Sequence, residues 1–90
     1  MQTWVFRANA TRLGDDPREF NVLAKGADES AALAFATAEM NARGWLEIDV
    51  LRSLEMDPKV KASATSYLRS AIENVEEFGF SFIRYGAQDN

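Results

Sequence analysis

Ninety residues carrying a net charge of −4, with no cysteine and no histidine, leave no material for disulfides, thiolate metal sites or the Ser-His-Asp and Cys-His catalytic arrangements. The acidity argues against general binding to nucleic acid or an anionic membrane, because phosphate affinity is drawn from lysine and arginine. No stretch approaches the roughly 18 apolar residues of a membrane span. The expectation is one α+β domain over residues 1–90, cytoplasmic and untargeted, not an enzyme, with no cofactor, metal or membrane, and with a nucleic-acid-binding domain only as a lesser alternative.

Gln2 to Asn9 sets Trp4, Phe6 and Ala8 against Thr3, Val5 and Arg7, a period of two that predicts strand one. Ala10 to Pro17 gathers Gly14, Asp15, Asp16 and Pro17 and reads as a long hairpin loop. Arg18 to Lys25 places Phe20, Val22 and Ala24 opposite Glu19, Asn21 and Leu23, giving strand two, antiparallel to the first. Asp28 is then the expected N-cap of an alanine-rich helix over residues 29–42, with Leu33, Phe35, Ala36 and Met40 on its apolar stripe. Arg43 suits the carbonyls at its end, and Gly44 suits a left-handed terminator.

Gly44 to Leu51 is the strand around which the reading is organised. Leu46, Ile48 and Val50 alternate with Glu47 and Asp49, so one face is apolar and the other acidic, with Trp45 on the acidic side. The strand could run to Leu54 or Met56, but Arg52 falls on the apolar face and implies a bend or an end nearby. Asp57-Pro58 starts helix two, whose stripe of Ala64, Leu68, Ala71, Val75 and Phe78 predicts one continuous helix ended by Gly79. Phe80 to Tyr85 reads as strand four, and residues 86–90 as a flexible tail. The order ββαβαβ predicts a two-layer sandwich: a four-stranded mixed sheet with both helices on one face, strands one and two a hairpin, strands three and four parallel.

With the helices on the side of Phe6, Phe20, Val22 and Ile48, the other face holds Thr3, Val5, Arg7, Asn21, Leu23, Lys25, Trp45, Glu47, Asp49, Leu51, Ile83 and Tyr85. Half of those residues are apolar or aromatic, which suggests a binding patch. Residues 28–57 hold two basic side chains against seven acidic ones, so the excess negative charge belongs to helix one and strand three. A one-sided acidic surface speeds encounter with a basic partner. Glu47 with Asp49 could in principle serve glycoside hydrolysis or hold a hard cation, but no phosphate loop or nucleophile elbow accompanies them. Arg7, Arg12, Arg18 and Lys25 could meet phosphate, yet Asp15, Asp16 and Glu19 blunt that potential.

The expected function is therefore stoichiometric protein–protein binding to a partner with a basic surface, through Trp45, Glu47, Asp49, Leu51, Glu39, Arg7 and Tyr85. By size and acidity the chain resembles, as a class only, compact inhibitors of nucleic-acid-binding proteins, such as phage anti-defence and antitoxin-like immunity proteins. The alternative is a structural or ligand-binding homodimer joined by Val5, Leu23, Leu51, Ile83 and Tyr85.

Overall fold

The computed structural model describes residues 2–12, 16–62, 64 and 66–84. It contains β1 (Gln2–Arg12), β2 (Arg18–Gly26), α1 (Glu29–Ala42), β3 (Trp45–Glu55), α2 (Pro58–Ala62), α3 (Ser66–Phe78) and β4 (Phe80–Arg84). An α+β fold was the expectation, and its four strands and first helix stand where the alternation and the caps put them. β1 runs on to Arg12, three residues past its expected end. The expected hairpin loop falls partly, and the expected tail wholly, outside the described residues.

The sheet has the order β3-β1-β2-β4, and every neighbouring pair is antiparallel, which corrects the mixed sheet. β3 and β4 are opposite edges and are not partners. Because β1 runs against both its neighbours, β2 and β3 are parallel to each other on either side of it. The parallel crossover is thus made by α1 and passes over one strand. The single helix expected over residues 58–78 is two helices. α2 ends at Ala62 and α3 begins at Ser66.

The two helices pack on opposite faces of the sheet, which corrects the two-layer arrangement. α1 lays Ala32, Ala36 and Met40 on Phe6, Ala10, Phe20, Val22 and Ala24. α3 lays Ala71, Ile72 and Val75 on Leu23, with Val5, Leu68 and Ile83 packed around them. Consecutive residues of a strand point to opposite faces, yet Val22 is 2% exposed and Leu23 0%. β2 is therefore covered on both sides. The apolar excess on the second face marks a second core, in which Leu23 is fully buried and Ile83 half-buried against α3.

Local chemistry explains how α1 reaches its place. The Asp28 carboxylate accepts a hydrogen bond from the Ala31 N–H at 2.8 Å, and Gly44 ends the helix with φ of 89°. The first turn lies almost on the end of β2, where a Cβ added to Gly26 would stand 2.4 Å from the Ala32 nitrogen. On the other face the Ser81 hydroxyl donates to the Ala71 carbonyl at 2.6 Å, tying α3 to β4.

Gly26→Ala is therefore expected to destabilise the fold by about 1–3 kcal/mol, because backbone and not a flexible side chain must yield. Thermal unfolding followed by circular dichroism should show a midpoint lower by roughly 4–8 °C for each kcal/mol. An unchanged midpoint would mean that α1 does not sit this close to β2.

Candidate functional site

The candidate site is built on β3, whose alternation is broken twice. Asp49 pairs with Asn9 and Leu46 with Thr11, so β3 holds one residue more than β1 across that interval. Glu47 takes up the excess with φ of 51°, a left-handed conformation that costs a non-glycine residue roughly 1–2 kcal/mol. The Thr11 hydroxyl lies 3.3 Å from both the Leu46 carbonyl and the Glu47 carboxylate and donates toward them. The second irregularity follows at once. Val50 pairs with Ala8 and Arg52 with Arg7, leaving Leu51 as the extra residue.

These two bulges reassign the strand's faces. Ile48 and Val50 turn toward α1 as expected. Trp45 does not lie outside: it is 6% exposed, with its ring 4.6 Å from Phe20 edge-on and the Arg12 guanidinium 4.4 Å from its ring centre. Leu46 takes the outer position, 48% exposed. Arg52, out of phase in a regular strand, is carried by the Leu51 bulge to the face opposite α1, where it stands across from Arg7. The bend implied by Arg52 is this bulge.

Of the residues expected to bind a partner, Glu47, Asp49 and Leu51 are exposed together on β3. Trp45 is removed from the list by burial, and Tyr85 lies outside the described residues. Glu39 sits on α1, 3.2 Å from Arg43 of the same helix end. Arg7 is half-buried on β1 and pairs with Glu19 at 3.2 Å. Sequence reading missed Leu46, Arg52 and Leu54 as exposed members of the same strand. Leu46, Leu51 and Leu54 are each about half exposed, and the wrong phase of Arg52 was the signal that could have exposed them.

The acidic segment also divides. Asp28 caps α1, Glu39 meets Arg43, and the Glu29 carboxylate accepts from the Ser53 hydroxyl at 2.9 Å. Glu47, Asp49 and Glu55 remain exposed along β3. The gap between α1 and the sheet, lined by Phe6, Ala8, Val22, Leu33, Met40 and Val50, holds about 10 Å³, room for no more than one water. On the opposite face, beside α3, a shallow depression of about 250 Å³ is bordered by Val5, Arg7, Asn21, Arg52 and Leu54. Among the described residues no three Asp, Glu, His or Cys side chains converge as metal ligands, and no helix is long and apolar enough to cross a membrane.

The left-handed turn at Glu47 gives a direct check on the bulge. Glu47→Gly should leave stability within about 1 kcal/mol of the original, since relief of strain offsets the added freedom of glycine in the unfolded chain. Glu47→Val should cost about 1–3 kcal/mol, because a branched side chain fits this conformation worst. Urea unfolding measures both, and equal costs for the two variants would deny the bulge. Compared with known proteins, the chain matches no family model, and no curated protein or solved structure is significantly similar to it.

Proposed function

We propose that the chain acts by stoichiometric binding of another protein through the outer edge of β3. The observation that carries this reading is an eleven-residue edge strand bearing three half-exposed leucines. At about 3.3 Å per residue the edge is roughly 36 Å long, and its outward N–H and C=O groups form a template for an added strand. Edges of this kind are commonly blunted by lysine, proline or shortness. Residues 45–55 contain neither lysine nor proline.

The exposed carboxylates of Glu47, Asp49 and Glu55 set the chemistry of the occupant: it carries at least one cationic side chain within their reach. Main-chain pairing supplies affinity, and these charges supply orientation and encounter rate. A stoichiometric inhibitor or antitoxin-like protein is the functional class that fits, since binding alone performs its task. The reading asks for no catalytic group, cofactor or metal.

A photo-reactive amino acid at Leu51 or at Leu54, in the protein produced in its own host, is expected to give an adduct of one defined mass. The same probe at Glu73, exposed on α3, is expected to give none. The combined change Glu47→Lys and Asp49→Lys should lower the adduct yield, more at low salt than at high salt. Equal yields at all three positions, or none at any, would overturn the reading.

A further inference from the structure

We propose that the strand received by the β3 edge is β3 of a second copy, antiparallel about a two-fold axis between Val50 and Leu51. Two four-stranded sheets then become one of eight strands. This rests on the reading of that edge as a protein-binding surface, and adds the partner and the register.

A two-fold axis perpendicular to a sheet maps each face onto itself, so residues paired across it must share a face. In an unbroken strand, residues three apart lie on opposite faces, and Asp49 could never meet Arg52. The Leu51 bulge changes this. Asp49 pairs with Asn9 and Arg52 with Arg7, both on the α3 side of β1. Ile48 packs against the α1 core, and Ser53, across from Phe6, bonds Glu29 at the start of α1. Outward from the Val50–Leu51 centre, Asp49 and Arg52 share the α3 face and Ile48 and Ser53 share the α1 face, which is what this central stretch needs to pair with its own copy.

Charge then selects the register. With Val50 opposite the partner's Leu51, Asp49 stands opposite the partner's Arg52, and symmetry repeats the pair. A slip of one residue toward the C-terminus sets Glu47 against the partner's Glu55, and a slip of two leaves Asp49 and Arg52 facing leucines. A slip of one the other way sets Ile48 of the α1 face against the partner's Arg52 of the α3 face, and a slip of two sets Asp49 against the partner's Val50, again on different faces. The pairing also relieves a conflict within each chain. Arg52 stands directly across from Arg7, a like-charge arrangement that disfavours the sheet. Arg7 has Glu19 at 3.2 Å, whereas Arg52 has no carboxylate partner among the described residues. The partner's Asp49 supplies one.

The test is light scattering after size exclusion over a dilution series, with circular dichroism confirming that each variant is folded. The wild type is expected at twice the chain mass of 10.1 kDa. Asp49→Arg and Arg52→Asp each oppose like charges twice and should raise the dissociation constant by about tenfold or more. Mixed one to one, the two variants again oppose arginine to aspartate at every pair and should recover the dimer as a heterodimer. A wild type that remains at one chain mass overturns the proposal, as do variants that fail to recover on mixing. The probe at Leu51 separates the failures: a monomer that still forms an adduct with a different protein sinks self-pairing alone, and no adduct of either kind sinks both readings.

Discussion

Leu23 is as fully buried as Val22 and Ala24 on either side of it, and this two-sided burial of β2 determines how the rest of the chain is distributed. A strand with apolar side chains on both faces needs cover on both. The chain has two long connections with which to provide it, from β2 to β3 and from β3 to β4. One carries α1 over the first face and the other carries α3 over the second. A helix about 10 Å wide covers roughly two strands spaced about 4.8 Å apart. Split between two faces, neither helix can roof a sheet of four strands. α3 settles on β4 and β2, and the outer half of its face, with Arg7, Arg52 and Leu54, is left open.

At the far side of the sheet the competing demands meet in β3. Trp45 closes the aromatic end of the first core against Phe20, while Ile48 and Val50 reach the same core farther along. Positions 45, 48 and 50 cannot all share a face in a strand of strict period two. The turn at Glu47 reconciles them. Its strain of roughly 1–2 kcal/mol is smaller than the gain from burying Trp45, about 1.5–3 kcal/mol for a large apolar side chain. The edge-on contact with Phe20 adds about 0.5–1.5 kcal/mol. Burial wins, and Leu46 is turned outward as the consequence.

Most of the elements were legible because each rests on local chemistry: Asp28 and Gly44 bracket α1, Asp57 and Pro58 open α2, and alternation marks β1 and β2. What was not legible depends on partners distant in sequence. The apolar residues Val5, Leu23 and Ile83 were visible on the second face, but the pattern alone does not distinguish a face awaiting a partner from one covered by a helix sixty residues along the chain, roughly the spacing from β1 to α3. The stripe of α3 needed a surface of its own, and one face of four strands could not serve both helices. Trp45 was misassigned for a similar reason, since a bulge moves every following side chain and leaves no composition signal of its own. Arg52 was the visible trace, a charge at an apolar phase.

A bulge on an edge strand usually serves as a guard, twisting the edge away so that no other strand can add to it. The two irregularities of β3 divide on this point. The one at Glu47 is explained within the chain by the burial of Trp45. The one at Leu51 brings no large side chain into the core, leaves Leu51 itself half exposed, and sets Arg52 against Arg7. A guard that leaves leucines exposed on both sides of it and lacks lysine and proline would be a poor one. Its consistent effect is to place Asp49 and Arg52 on one face, three residues apart, the arrangement on which the proposed self-pairing rests. In the self-pairing proposed above, the cost of the arginine pair would fall on the single chain and be lifted in the assembled one, so that proposal rests on the charge pattern more than on the length of the edge.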